Sequence, residues 1–156
     1  MLVLCLVLLM SLFSYYLTNR YFLSTVIVQG RSMSPTLRDG DRYLLNRLTY
    51  VYRVPKRGDL VVLHDPGHDD LAVKRIVGLP GEAIQLKDGQ IYVNGRCLSE
   101  RYLVSGTQTI TPRARDNFFH LRSNQYFVLG DNRDESEDSR FYGPVIKESI
   151  IGALIH

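Results

Sequence analysis

The spacing of apolar side chains changes character near residue 20. From Met1 to Leu17 no side chain is charged, and Leu, Val, Met and Phe dominate. A run without a polar face predicts a helix that is apolar all round, unlike a helix packed on a soluble core. Seventeen helical residues rise about 26 Å, slightly short of a ~30 Å hydrocarbon core. We therefore expect residues 1–20 to form a membrane anchor helix near the lower length limit. Tyr15, Tyr16, Tyr21 and Phe22 suit an interfacial belt, and Arg20 suits the headgroup layer. The basic start and small-residue end of a cleavable leader are both missing. Arg20 alone would favour a cytoplasmic body by the positive-inside tendency, but one charge leaves the topology open.

Beyond residue 20 the pattern shortens to strand-length apolar runs, over residues 26–28, 41–45, 60–63, 71–77, 83–86, 90–93, 96–98, 126–129 and 145–146. Asp88-Gly89 and Asn94-Gly95 separate three of them and are hairpin turn signals. Residues 105–117 are polar and read as a surface connection. The prediction is a mainly β, barrel-like body over residues 21–156, with a helix only at the N-terminus and a short turn after Ser32.

Composition adds limits. A chain of 156 residues is one domain plus at most a small appendage. The net charge of +3 is mild, and Lys and Arg are scattered among acids with no basic stripe, which speaks against nucleic acid. Cys5 and Cys97 lie too far apart in sequence and context to suggest a disulfide framework or a zinc site.

Three stretches carry candidate chemistry. The run from Gly130 to Gly143, G-D-N-R-D-E-S-E-D-S-R-F-Y-G, has 7 charged residues among 14, yet it lies between two apolar strands. Its Asp131, Asn132, Asp134, Ser136, Asp138 and Arg140 are expected to satisfy one another in a fixed polar network. Ser32 follows a strand and precedes Pro35, a setting that exposes a hydroxyl beside splayed backbone N–H groups and suits a nucleophile, or merely a turn cap. Lys74 stands in an apolar strand on the face of Ala72 and Ile76, with Arg75 on the face of Val73 and Val77. Facing inward, it would be desolvated into a neutral amine able to act as a general base; facing outward, it is a solvated charge. The cluster His64, Asp65, His68, Asp69, Asp70 offers a metal site or a histidine for a serine triad, but its turn-rich composition fits a solvated loop better. His120 and His156 have no recognisable partners.

Taken together, S-M-S-P-T-L, R-G-D-L-V-V-L, A-V-K-R-I-V-G-L-P-G-E and the block after Gly130 resemble the signature blocks of type I signal peptidases, in order and behind an apolar leader. The resemblance covers roughly residues 1–155. It implies the antiparallel, barrel-like β fold shared with LexA-like serine–lysine peptidases, with one N-terminal transmembrane helix. It further implies Ser32 as nucleophile, Lys74 as general base and Ser136 as the hydroxyl that orients the lysine. Asp131, Asp138 and Arg140 would brace the site. Val28, Met33, Leu37, Ala72 and Val73 would line shallow pockets for small side chains of an extended substrate. No metal or other cofactor is implied. The expected partners are signal-peptide-bearing preproteins and the lipid bilayer, with no nucleic acid and a monomeric enzyme. The implied location is the plasma membrane, single-pass, with the body on the extracytoplasmic face, against the hint from Arg20. Some relatives carry a serine where this chain has Gly30, so the Ser32 backbone N–H would carry more of the oxyanion's stabilisation. Only 55 residues separate Lys74 from Gly130, which resembles the family's compact members. Three rivals remain: a LexA-type self-cleaving regulator, a tethered binding module built on His64, His68 and their aspartates, and a peptidase restricted to a dedicated substrate, as in pilin or conjugation systems.

Overall fold

The computed structural model describes residues 2–155 apart from 69 and 112–116. Helix α1 spans Leu2–Tyr21 and leads into an antiparallel β body. The strands are β1 (Leu23–Ile27), β2 (Arg42–Asn46), β3 (Leu60–His64), β4 (Leu71–Gly78), β5 (Ala83–Lys87), β6 (Gln90–Val93), β7 (Arg96–Cys97), β8 (Phe118–His120), β9 (Gln125–Leu129), β10 (Val145–Ile146) and β11 (Ile150–Ile155). A seven-stranded sheet runs β1-β2-β11-β3-β4-β9-β10, and a four-stranded sheet runs β7-β6-β5-β8.

Strand β3 lies at the centre and shows why the body closes on itself. Leu60 and Val62 face a cluster with Val28, Met33, Leu37, Leu45 and Leu154. Val61 and Leu63 face another with Ile76, Tyr126, Val128, Val145 and Ile150. A strand covered on both faces reads as a continuous apolar run instead of an alternating one. A third cluster, with Val77, Ile84, Ile91, Leu121 and Phe127, joins the two sheets. Gly78 sits at that junction, where β4 shifts register against β9. A Cβ there would come within 2.8 Å of Ile84, Leu121 and Phe127, so only glycine lets the sheets approach. Asp88-Gly89 and Asn94-Gly95 all have positive φ, between 50° and 78°, as two-residue hairpins of type I′ require.

The structure departs from the sequence reading in four places. Strand β11 was not expected, because I-I-G-A-L-I has no period-2 pattern; it is inserted between β2 and β3, and Gly152 packs where a Cβ would lie 2.5 Å from the Asn46 carbonyl oxygen. Strand β8 was likewise not expected. Two four-residue helices, α2 (Thr49–Tyr52) and α3 (Ser139–Tyr142), join α1, so the N-terminal helix is not the only one. Finally, the expected membrane helix at residues 1–20 forms as α1, and its side chains from Val3 to Tyr16 are exposed wherever the helix is apolar. Among the described residues, however, no helix is long and apolar enough to cross a membrane. The polar Thr18, Asn19 and Arg20 end the apolar run one turn early.

Candidate active site

Ser32 lies in a turn that its neighbours pin from both sides. Met33 and Leu37 are each only 1% exposed and plug the core, leaving Ser32 half-buried above them. The turn closes through Ser34 N–H donating to the Arg31 carbonyl (3.0 Å) and Leu37 N–H to that of Met33 (3.0 Å). Residues 131 and 132 tie it down from across the molecule. Asn132 donates its N–H to the Ser32 carbonyl (3.0 Å) and its Nδ2 to the Arg31 carbonyl (3.1 Å). Thr36 Oγ1 donates to Asp131 Oδ2 at 2.5 Å. Among the described residues, neither the Ser32 hydroxyl nor its N–H is engaged in a hydrogen bond.

Lys74 occupies β4 opposite Val61 of β3 and is 4% exposed, so the inward orientation holds. Its Nζ donates to Ser136 Oγ at 3.2 Å, and Ser136 is equally buried. Burial pushes the Lys74 ammonium below its ordinary value; Asp138 and Asp65 pull it back up, Arg140 pushes it down and Glu137 raises it. Gly130 connects this pair to Ser32. A Cβ at Gly130 would overlap the Ser136 side chain and lie 2.5 Å from the Ser32 carbonyl oxygen, so both residues press on the same glycine.

The charged block after Gly130 is fixed partly by satisfying itself, through Asp138 and Arg140, and partly by partners distant in sequence. Asp138 takes Arg140 in a bidentate pair (2.8 and 2.9 Å) and accepts from Gly130 N–H (3.1 Å). Arg140 Nη2 also reaches the carbonyls of Arg133 (2.8 Å) and Ser136 (3.1 Å), shaping the loop that carries Ser136. Asp131, by contrast, pairs with Arg75, whose Nε and Nη2 lie 2.8 and 2.6 Å from its two oxygens. Asn132 bonds the Ser32 turn, and Asp134 is exposed outside the network. Arg133 donates Nε to the Gly130 carbonyl (2.9 Å) and pairs with Glu100 (2.6 Å). Sequence reasoning missed Arg75, Arg133, Glu100 and Thr36 as parts of the site. Alternation did put Arg75 opposite Lys74, and an arginine between Val73 and Val77 on a buried face was the available signal.

A cleft of about 160 Å³ has Ser32 in its wall. It is lined by residues 26–29 on one side and 71–73 on the other, with Met33 and Val62 at its base. Of the expected pocket residues, Val28, Met33, Ala72 and Val73 line it; Leu37 does not, being wholly enclosed in the core beneath. Strand β1 is at the sheet edge, and β4 pairs with β9 only from Arg75 onward, so residues 71–73 have one side without a partner strand among the described residues. A larger groove of about 470 Å³ lies elsewhere, where Phe22, Leu23, Leu48 and Tyr52 meet at the foot of α1; none of the residues around Lys74 lines it.

His64 and His68 are exposed, and no cluster of three His, Cys, Asp or Glu among the described residues could hold a metal ion. Asp69 of that loop and His156 lie outside the described residues.

Comparison with known proteins agrees across the chain. The family model described as "Signal peptidase, peptidase S26" matches residues 1–155. "Signal peptidase I V" of Bacillus subtilis (strain 168) is 36% identical over 136 residues, covering 81% of this chain and 80% of that one. "Signal peptidase IB" of Staphylococcus aureus (strain Mu50 / ATCC 700699) is 33% identical over 152 residues, covering 89% and 79%. The crystal structure of a signal peptidase I from Enterococcus faecalis V583 superposes with a TM-score of 0.56 at 34% identity, over 66% of this chain and 98% of that one.

Proposed function

The chain belongs to the signal peptidase, peptidase S26 family of hydrolases, and from that premise we propose that it is a membrane-bound endopeptidase removing N-terminal signal peptides from exported preproteins through Ser32 and Lys74. The observation that carries the reading is a lysine amine buried in a strand, bonded to Ser136 and displaced toward its neutral form, with Ser136 and Ser32 packed on the same Gly130 and Ser32 lining a cleft.

Burial penalises the charged amine, so Lys74 offers a lone pair at a pH where a solvated lysine would not. The lone pair removes the Ser32 Oγ proton as that oxygen bonds to the scissile carbonyl carbon. The carbonyl oxygen becomes an oxyanion, and the free Ser32 N–H is the donor available to it. Gly30 cannot assist, since it has no hydroxyl and its N–H is committed to Asp39 Oδ1 at 2.9 Å. As the tetrahedral species collapses, the Lys74 ammonium returns its proton to the departing amine. Water then attacks the acyl-serine with the same amine as base. Nζ bonds to Ser136 in the free enzyme; catalytic hydrogen bonds commonly tighten onto the nucleophile only once substrate is in place.

The substrate would enter as an extended strand between residues 26–29 and 71–73, using the open edges there for main-chain hydrogen bonds. Val28, Met33, Ala72 and Val73 give a cleft of only about 160 Å³ its apolar side chains, which favours small side chains near the cut. We assign residues 1–20 as a single-pass anchor and 21–156 as an extracytoplasmic, monomeric catalytic body. An apolar run short by about one turn is accommodated by local thinning of the bilayer, at fractions of a kcal/mol per Å. The exposed Val51, Tyr52 and Val54 beside the groove at the foot of α1 extend the lipid-facing surface.

The test is cleavage of a defined preprotein in detergent. Ser32→Ala and Lys74→Ala should each lower kcat by about ten-thousand-fold or more while leaving the far-UV spectrum unchanged. Substantial activity in either variant refutes the pairing.

A further inference from the structure

The segment that leaves β7 returns to the catalytic network from behind. Glu100 accepts Arg133 through both oxygens, Nη2 to Oε1 at 2.6 Å and Nη1 to Oε2 at 3.2 Å. Tyr102 donates its hydroxyl to Glu100 Oε1, and its ring covers the Arg75 guanidinium with Cζ 4.0 Å from the ring centre. Burial, then the Glu100 charge, push the phenol's pKa up, so it stays a donor.

These contacts reach three catalytic groups at one remove. Arg75 adjoins Lys74 in β4 and holds Asp131, which accepts from Thr36 on the Ser32 turn. Arg133 holds the Gly130 carbonyl, and Gly130 is wedged against Ser136 and the Ser32 carbonyl. An aromatic face over a guanidinium fixes the plane of its fork, and a bidentate pair depends on that plane.

We propose that Tyr102, supported by Glu100, is a positioning residue for the peptidase reaction, clamping Arg75 and Arg133 so that Ser32, Lys74 and Ser136 keep their mutual placement. The inference rests on the Ser32–Lys74 reading and adds to it a control exerted from the segment that follows β7. Uncovering Arg75 frees its fork, loosens Asp131 from Thr36 and lets water toward Lys74. The rate then falls, and the acid limb of the pH profile moves to higher pH because a rehydrated amine is harder to deprotonate. Substrate binding is spared, because neither Glu100 nor Tyr102 lines the cleft.

Tyr102→Phe, Tyr102→Leu and Tyr102→Ala are compared for kcat, KM and pH dependence of preprotein cleavage, with thermal unfolding measured alongside. The phenylalanine variant keeps the ring and should stay within about threefold of the parent, the loss expected from one hydroxyl. The leucine and alanine variants should lose about tenfold in kcat, the scale of a desolvated cation–π contact, with KM little changed and the acid limb displaced upward. If Tyr102→Leu equals Tyr102→Phe in rate and limb, or if KM moves instead of kcat, the inference is overturned. Unfolding of Tyr102→Leu where Tyr102→Phe folds also counts against it, since the ring would then serve stability only. Lys74→Ala in the same assay separates the two levels. If it is inactive while Tyr102→Leu is normal, the clamp fails alone; if it is active, the dyad itself fails.

Discussion

Replacing Asp131 with asparagine should produce the largest stability loss of any conservative change in the site. The Asp131 side chain has no exposed surface and that of Arg75 only 9%, and the two share hydrogen bonds of 2.8 and 2.6 Å. Removing one charge of a buried pair leaves the other uncompensated, which costs about 3–5 kcal/mol. For a chain of this size each kcal/mol lowers Tm by about 2–4 °C, so a fall of about 6–20 °C is expected. Asparagine still offers Thr36 an acceptor, which confines the effect mainly to Arg75. Circular dichroism melts of Asp131→Asn, Arg75→Met and the double variant measure the coupling. The double variant should be more stable than the sum of the single losses implies, because methionine leaves no orphaned charge. Strict additivity, or a loss below about 1 kcal/mol for Asp131→Asn, would refute the view that this pair fastens the Ser32 turn to β4.

Ser136→Ala removes the acceptor that holds the Lys74 amine. One such bond contributes about 1 kcal/mol, so kcat should fall about five- to tenfold, far less than for Ser32→Ala, in the same cleavage assay. Lys74→Met should change how stability depends on pH. The folded pKa of Lys74 is depressed, so between that value and the ordinary 10.5 the unfolded chain binds more protons and stability rises with pH. Denaturant titrations should show this rise in the parent and its absence in Lys74→Met. A pH slope surviving in Lys74→Met would assign it to another group.

The strands with clear boundaries were legible. The runs bounded by Gly58, Asp88-Gly89 and Asn94-Gly95 matched β3, β5, β6 and β7 within a residue or two, because the turn residues impose backbone angles locally. Strand β11 was hidden because both its neighbours are far away in sequence, and Gly152 is there for close packing, not for a turn. Lys74 could be placed on a face but not as buried or exposed, since that depends on the loop bearing Ser136, 62 residues on. Separation in sequence, by 56 and 33 positions, likewise hid Arg75 from Asp131 and Glu100 from Arg133. Charged residues near one another were expected to pair; Asp138 and Arg140 do, while the fold pairs Asp131 across 56 positions and leaves Asp134 outside. Leu37 was expected at the cleft because it lies close to Ser32, but the turn sends it inward with Met33.

The account depends most on the state of one amine. Its titration can be followed through the reactivity of Lys74 toward reductive methylation across pH, read by mass spectrometry on the folded enzyme in detergent. Lys74 should titrate below 10.5, and its midpoint should coincide with the acid limb of preprotein cleavage. A Lys74 amine that titrates at the ordinary lysine value, or a cleavage limb that ignores its protonation, would contradict the assignment of Lys74 as the base for Ser32.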